Sequence, residues 1–429
     1  MSDIILKNCK LVNNKITNLI IKEGKINKIK SSLLSSDKTT DKIIDIEENI
    51  IIPGLIDPHV HFRDPGLTHK ENWKTGSMAA IHGGYTTVMD MPNTVPPTDT
   101  LKNFKEKKNI ASKKSYCDYG LHAGVKSQKD VIEIQNENPT GYKIFMDLYE
   151  TDHLKEMFGY IKNMNKPLLL HCEDHDLVQY NLKKLQENPE NKDKTIMYSY
   201  ARSPLTELIA VNRAIEFAEL FNIQLYLCHI TTRQTLELVK MAKSKININI
   251  EATPHHIFLT NDTYNTYGIK AKTNPPLRDK NYNITLKHLT EFDTIGTDHA
   301  PHTIEEKEKD TWTSMAGIPG LEVTMKLLLT EVNKNNLSLE KVVEMTSTKP
   351  AEIFKIPNKG KIAEGYDADI TVLNMKQNGK INIDEFYTQG QYTPFENREY
   401  TGTNIMTINR GFIASENNEV YKQDAKYVY

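Results

Sequence analysis

Two histidines, His59 and His61, stand one residue apart directly after an apolar, isoleucine-rich run that ends at Ile56. A run of this composition is typical of a fully buried parallel strand, and we predict a strand over residues 50–56. Both imidazoles would then lie at its carboxyl end on the same face, where they can bind one metal ion. For an isolated His-x-His, the simpler alternative is that one ring packs and the other faces solvent.

The pair is not isolated, because other side chains able to bind metal follow later apolar runs. Lys143 lies within such a run, and three other runs are closed by His171, His229 and Asp298. Imidazoles and a carboxylate suit a divalent transition metal, with one position left open for water. Two metals about 3.5–4 Å apart would use every ligand if a group bridged them, and a bridging hydroxide is a strong nucleophile.

Lys143 can act as that bridge only after a chemical change. Its ammonium group repels cations and has no acceptor lone pair. Carbamylation by carbon dioxide would turn the side chain into an anion with two oxygens. The alternative is that Lys143 pairs with a carboxylate such as Asp147 or points outward, because most strand lysines are solvated.

Apolar runs alternate with amphipathic stretches through the middle of the chain, which is typical of βα units around a parallel sheet. Residues 206–220 and 232–241 are two of the amphipathic stretches. The eight predicted strands cover residues 50–56, 85–91, 118–125, 142–146, 167–171, 223–229, 246–252 and 293–297. Eight strands close an α/β fold of the (β/α)8 TIM-barrel type, in which reactive groups gather at strand carboxyl ends.

The two ends of the chain predict a second, smaller domain. Short alternating runs in residues 3–30 and a strand, turn and strand pattern in residues 360–373 are typical of antiparallel sheet. We expect residues 1–52 and 360–429 to pair into one β-sandwich beside a TIM-barrel catalytic domain at 53–359. The length of 429 residues fits two domains better than one.

Composition argues against several classes of partner. Lys and Arg number 54 against 56 Asp and Glu, and the net charge of -2 favours neither nucleic acid nor an acidic membrane. The four cysteines show no CxxC spacing, and the sequence contains neither a leader pattern nor an apolar run of membrane-spanning length. We therefore predict a cytoplasmic protein whose partner is a small molecule.

Four longer motifs narrow the interpretation. They are Asp57-Pro58-His59-Val60-His61-Phe62-Arg63-Asp64-Pro65-Gly66, Met91-Pro92-Asn93-Thr94, Asn274-Pro275-Pro276-Leu277-Arg278 and Gly296-Thr297-Asp298-His299-Ala300-Pro301-His302. Together they resemble the dihydroorotases, of the long type with a bridging lysine, within the amidohydrolase superfamily. The resemblance covers nearly the whole chain and implies zinc-dependent, reversible cyclisation of N-carbamoyl-L-aspartate to (S)-dihydroorotate in de novo pyrimidine biosynthesis.

The resemblance also implies a set of metal ligands. His59, His61 and Asp298 would hold one Zn²⁺, and His171 and His229 the other, with carboxylated Lys143 and a hydroxide bridging the two ions. Asp298 would in addition take a proton from the attacking hydroxide and return it to the leaving nitrogen. Many bacterial relatives have an aspartate at the lysine position, so the second metal depends on the chemical state of Lys143.

Cys228 and Glu251 match residues that have been linked to an extra zinc in the animal multifunctional pyrimidine protein. Cys228 alternates away from His229 along the strand, and a buried apolar residue is the simpler interpretation.

Physical chemistry and the resemblance agree on the substrate-binding residues. A planar guanidinium is the best bidentate partner for the dihydroorotate carboxylate, and Arg63 lies two residues after His61. The resemblance adds Asn93 and His302 at the carboxylate, and Asn274 and Arg278 at the ring. The alternative for Arg278 is an ordinary surface arginine.

Three alternatives and two partners stay open at this point. Allantoinase and dihydropyrimidinase would share the metal site, and only the residues around Arg63 and Asn93 argue against them. A non-catalytic scaffold homologue would lack ligands, and this sequence has all of them. The resemblance also raises two partners, a second copy of the chain in a homodimer and aspartate transcarbamoylase.

Overall fold

The computed structural model describes residues 3–34 and 42–429, which form two β-sheets and the helices around them. The strands are β1 (Ile4–Lys10), β2 (Ile16–Lys22), β3 (Lys25–Lys30), β4 (Lys42–Asp45), β5 (Ile50–Pro53), β6 (Leu55–Val60), β7 (Tyr85–Asp90), β8 (Asp118–Gly124), β9 (Gly141–Phe145), β10 (Leu168–His171), β11 (Leu225–Leu227), β12 (Ile248–Ala252), β13 (Thr294–Ile295), β14 (Ile370–Lys380), β15 (Glu399–Asn409), β16 (Phe412–Glu416) and β17 (Glu419–Val420). The α-helices are α1 (Trp73–His82), α2 (Leu101–Lys114), α3 (Gln128–Gln135), α4 (Thr151–Ile161), α5 (His175–Gln186), α6 (Ile196–Ala201), α7 (Pro204–Phe221), α8 (Arg233–Ala242), α9 (Pro254–Phe258), α10 (Tyr264–Tyr267), α11 (Ile304–Lys307), α12 (Thr324–Asn333), α13 (Leu339–Val343) and α14 (Lys349–Ile353).

Strands β6–β13 form one parallel sheet in chain order. Its two edges meet where the His61 amide donates to the His299 carbonyl at 2.9 Å, which brings the segment after β13 beside β6. Nearly all residues of these strands are buried, and a strand covered on both faces gives the continuous apolar runs of the sequence. The predicted eight-stranded α/β barrel is confirmed.

The strand predicted over residues 50–56 is two strands in the structure. β5 pairs antiparallel with β14 in the second sheet, whereas β6 begins the barrel at Leu55. The break falls at Gly54, where a Cβ atom would lie 2.3 Å from the Thr86 hydroxyl oxygen. The barrel strand is therefore displaced toward the histidines, so that His59 lies inside β6 and His61 directly follows it.

The second sheet joins the two ends of the chain, as expected. Its nine strands follow the order β17, β16, β15, β14, β5, β1, β2 and β3, with β4 paired to β1. An apolar cluster that includes Leu6, Ile21 and Ile51 from the first end and Ile370 and Ile408 from the second packs in its core. The division of the chain at 52/53 and 359/360 stays a prediction.

Helices α7 and α8 coincide with the two amphipathic stretches singled out in the sequence. The Thr232 side chain accepts a hydrogen bond from the Thr235 amide and so satisfies one free donor in the first turn of α8. Within residues 3–34 and 42–429, no helix is both long and apolar enough to cross a membrane.

Candidate active site

Three of the predicted ligands meet at the carboxyl end of β6. His59 Nε2 lies 3.2 Å from His61 Nε2, and Asp298 Oδ1 lies 3.2 Å from the first nitrogen and 3.0 Å from the second. Asp298 comes from the segment after β13, which barrel closure places beside β6. Three ligand atoms this close can share one metal ion.

A second pair of imidazoles lies beside the first. His171 Nδ1 is 3.1 Å from His229 Nε2, and the centre of the His229 ring is 5.4 Å from that of His59. His171 is the last residue of β10, and His229 follows β11 by two residues. The structure thus brings the four histidines and Asp298 into one cluster, which we call the histidine cluster.

Acceptors hold the second ring nitrogen of three of these imidazoles. The pairs are His59 Nδ1 with Glu251 Oε1 at 2.8 Å, His61 Nδ1 with Asn93 Oδ1 at 2.7 Å, and His171 Nε2 with Glu173 Oε2 at 2.8 Å. Such outer partners fix the tautomer of a metal-binding histidine and aim its other nitrogen at the metal. Sequence reasoning missed Glu173 and Glu251 in this role, although Glu173 follows the same strand end as His171.

Three residues at the cavity have left-handed backbone. The φ angle is +36° at His229, +48° at Asp298 and +61° at Arg63. This region costs roughly 1–3 kcal/mol for residues other than glycine, and such residues concentrate at functional sites. All three side chains line the same cavity, so the strained turns at the strand ends serve to direct them there.

The electrostatics of the cluster suit a bound cation. Burial lowers the pKa of His61 to about 3 and that of His229 well below its usual value, so both rings are neutral. Burial also opposes charge on His59, but the Glu251 and Asp298 carboxylates raise the pKa of that ring well above its usual value. Imidazoles beside buried carboxylates form the donor set that a zinc-like ion prefers, and a bound metal would take the place of the proton on His59, so the residues present fit a divalent metal.

Lys143 is buried inside β9 with 2 % of its surface exposed. Its Nζ atom lies 3.1 Å from Cys228 Sγ, next to the predicted ligand His229. Asp147 pairs instead with Arg202 at 2.9 Å. Neither form of the alternative for Lys143, pairing with Asp147 or pointing outward, is therefore found.

A cavity of about 270 Å³ opens over the histidine cluster. Four predicted substrate residues line it, namely Arg63, Asn93, Asn274 and His302. The Asn274 side-chain oxygen accepts a hydrogen bond from the Tyr198 hydroxyl, which fixes the orientation of that amide at the cavity wall.

One edge of the Arg63 guanidinium faces no acceptor among the described residues. The buried Nε atom has no partner, and Nη2 lies 3.2 Å from His302 Nε2. That imidazole nitrogen also lies 3.0 Å from the Ala316 carbonyl, and in the tautomer that donates to this carbonyl Nε2 carries the proton. It cannot then accept from Arg63, and the edge formed by Nε and Nη2 is available to a carboxylate.

Arg278 is a predicted substrate residue that the structure does not bring to the cavity. Its Nε donates to Thr231 Oγ1 at 2.8 Å, and Nη2 lies 3.5 Å from the Glu207 carboxylate. Glu207 in turn accepts from the amides of Thr231 and Thr232, just after His229. The side chain is buried and does not line the cavity, so it is not an ordinary surface arginine, and its contact with the ring stays a prediction. Arg278 braces the turn that follows His229.

Comparisons with known proteins extend over the whole chain. A sequence model of the Amidohydrolase family matches residues 50–413. The chain is 68% identical over 429 residues to a dihydroorotase of Methanosphaera stadtmanae, covering 100% of both chains. It is 41% identical over 430 residues to a dihydroorotase of Methanothermobacter thermautotrophicus, covering 100% of this chain and 97% of that one. The solved structure of an L-hydantoinase (dihydropyrimidinase) from Arthrobacter aurescens matches with a TM-score of 0.94 and 29% identity, covering 100% of both chains.

Proposed function

The chain belongs to the amidohydrolase family and is a cyclic-amide hydrolase, and we propose that it opens and closes the ring of dihydroorotate. The free guanidinium edge of Arg63 beside the histidine cluster carries this proposal. Dihydroorotate has a carboxylate next to a cyclic amide, and a guanidinium binds a carboxylate through two parallel hydrogen bonds. The two relatives named dihydroorotase support the same substrate.

Two zinc ions are the proposed cofactors. His59, His61 and Asp298 would hold one ion and His171 and His229 the other, with carboxylated Lys143 between them. When bound, the ions would supply an activated water and polarise the amide carbonyl.

The side chains of the protein would do the remaining work. The Asp298 carboxylate would take the proton of the attacking water and deliver it to the ring nitrogen that leaves. Arg63 would hold the substrate carboxylate with Asn93 and His302 beside it, and Asn274 would contact the ring. The same steps in reverse close N-carbamoyl-L-aspartate to dihydroorotate.

This activity would place the protein in de novo pyrimidine biosynthesis in the cytoplasm. Assembly as a homodimer and association with aspartate transcarbamoylase stay predictions from the sequence. The scaffold alternative has no support, because it requires missing ligands and the five predicted ligands converge.

Hydrolysis of a ring without a carboxylate is the second candidate, favoured by the match to the L-hydantoinase structure. Turnover of dihydroorotate, dihydrouracil, hydantoin and allantoin by the zinc-loaded protein separates the two candidates. A site built around a charged group rejects analogues that lack it, and we expect a preference for dihydroorotate of roughly 100-fold or more. We also expect two zinc ions per chain. Preference for an uncarboxylated ring would favour the second candidate.

Arg63→Met tests the carboxylate site directly. Hydrogen bonds to a charged group contribute about 1.5–3 kcal/mol, so kcat/KM for dihydroorotate should fall about 10- to 100-fold. The exposed Arg233 offers a matched control, and Arg233→Met should leave kcat/KM unchanged. An unchanged kcat/KM in Arg63→Met would mean that the carboxylate binds elsewhere.

A further inference from the structure

The segment of residues 308–317, which we call the wall loop, joins α11 to the strand-like residue Ile318. Its last three residues, Met315, Ala316 and Gly317, line the cavity. The wall loop has no regular secondary structure, so its carbonyl groups need partners from elsewhere in the molecule.

Two buried lysines supply those partners. Lys307 Nζ donates to the carbonyls of Met315 and Gly317 at 3.0 Å each, and to the Lys272 carbonyl at 2.9 Å. Lys272 Nζ donates to the carbonyls of Thr311 at 2.8 Å and Ser314 at 2.6 Å. Buried lysines are rare and costly, and burial lowers the pKa of Lys272 to about 7 and that of Lys307 well below its usual value. Among the described residues, neither side chain makes a salt bridge. Their hydrogen bonds go to main-chain carbonyls, four of them in the wall loop.

Tyr392 ties the same loop to His302. Its hydroxyl donates to the Gly317 carbonyl at 2.9 Å and accepts from the His302 amide at 3.1 Å. Lys307 and Tyr392 therefore hold the residues on either side of Ala316, whose own carbonyl accepts from His302 Nε2 at 3.0 Å.

The hydrogen bond to the Ala316 carbonyl favours the His302 tautomer in which Nε2 carries the proton. If that carbonyl moved away, the ring could adopt its other tautomer and accept a hydrogen bond from Arg63 Nη2, 3.2 Å away. Burial, together with the cations of Arg63, Lys70 and Lys307, lowers the pKa of His302 below its usual value, so the ring is neutral and a tautomer choice exists.

We infer that Lys307 and Tyr392 are positioning residues for substrate binding, because they fix the Ala316 carbonyl and so keep the Arg63 guanidinium edge free for a carboxylate. The identity of the substrate in this inference rests on the proposed function. The hydrogen bonds by which Lys307 and Tyr392 hold the wall loop do not depend on it. Neither residue contacts the histidine cluster, so the inference separates substrate binding from metal binding.

Lys307→Met and Tyr392→Phe test the inference. The KM for dihydroorotate should rise about tenfold in Lys307→Met, and less in Tyr392→Phe, which loses one hydroxyl, because each lost hydrogen bond contributes about 1 kcal/mol. The kcat and the zinc content should stay at wild-type values. Trypsin should also cut after the exposed Lys309 of the wall loop faster in both variants than in the wild type, with the cut identified by mass.

Lys309→Met is the matched control, since it removes an exposed ammonium from the same loop. It should leave KM unchanged and abolish the tryptic cut. A wild-type KM in Tyr392→Phe would overturn the inference, and so would a fall in kcat and zinc content at constant KM. If Lys307→Met fails to fold, Tyr392→Phe decides the question. If the wild type does not act on dihydroorotate, the proposed function fails. Unchanged proteolysis of both variants would separately show that Lys307 and Tyr392 do not hold the wall loop in place.

Discussion

The two ends of the barrel both contain buried charges, but these charges are satisfied in different ways. At the amino-terminal end, Asp118, Lys359, Asp369 and Arg410 form a group that we call the base cluster. Lys359 Nζ binds Asp118 at 2.8 Å and also binds Asp369, while Arg410 Nε binds Asp118 at 3.0 Å. Two acids and two bases balance, and each carboxylate has several donors.

The carboxyl-terminal end shows the opposite arrangement. In the histidine cluster, imidazole nitrogens face each other at 3.1 Å and 3.2 Å, and nearby Arg63 Nε has no partner. A group of paired charges stabilises the fold, whereas converging atoms that lack partners indicate a ligand site. The barrel therefore separates stability at one end from chemistry at the other, as is usual for this fold.

The largest expected effect is on turnover, at the carboxyl-terminal end. Asp298→Asn removes the proposed proton acceptor, and we expect turnover of dihydroorotate to fall by about 10⁴-fold while the midpoint of urea unfolding is nearly unchanged. Asp384→Asn, at an exposed position, is the control. Near wild-type turnover in Asp298→Asn would show that Asp298 is not the proton acceptor. It would also weaken the distinction between a catalytic end and a stabilising end of the barrel.

The base cluster should respond in the opposite way. Lys359→Met leaves the Asp118 and Asp369 carboxylates buried with one cation between them, so the free energy of unfolding should fall by about 3–5 kcal/mol. The kcat/KM of the folded enzyme at 25 °C should stay near the wild-type value. Urea denaturation followed by circular dichroism measures the first quantity, with exposed Lys361→Met as control. A change below about 1 kcal/mol would contradict a stabilising role for the cluster.

A smaller effect is expected at Glu251, which accepts from His59 Nδ1 and from the His229 amide. Glu251→Gln keeps one acceptor oxygen but loses the charge, and outer partners of this kind contribute about 10- to 100-fold to metal affinity. Competition with a chromogenic chelator measures the zinc affinity, and Glu237→Gln on the exposed face of α8 is the control. Equal zinc affinity in the two variants would show that Glu251 does not orient the ligand.

The smallest effect on stability should come from an exposed charge pair that belongs to neither the histidine cluster nor the base cluster. Lys129 and Glu133 on α3 are 3.8 Å apart, with 81% and 42% of their side-chain surfaces exposed. Water screens such a pair, so Lys129→Met should change the free energy of unfolding by at most about 0.5 kcal/mol. A loss comparable to that of Lys359→Met would show that burial is not what distinguishes the base cluster.

The sequence alone determined the barrel and the types of side chain at its mouth. Buried parallel strands are apolar throughout, and side chains at their carboxyl ends must meet once eight strands close. The sequence therefore assigns His171 and Asp298, far apart in the chain, to one site. The same logic merged two strands across Gly54 into one, because consecutive apolar strands in different sheets give a single apolar run.

Only the tertiary structure decided which groups are left without a partner. Local sequence could not show that Arg278 lies outside the cavity, bonded to Thr231 and paired with Glu207, whereas Arg63 lines the cavity with its Nε free. That distinction depends on where the Ala316 carbonyl and the Glu207 carboxylate lie, and both are fixed by contacts between residues distant in the chain. A hydrogen bond requires its two atoms within about 3 Å, and sequence separation carries no information on that scale.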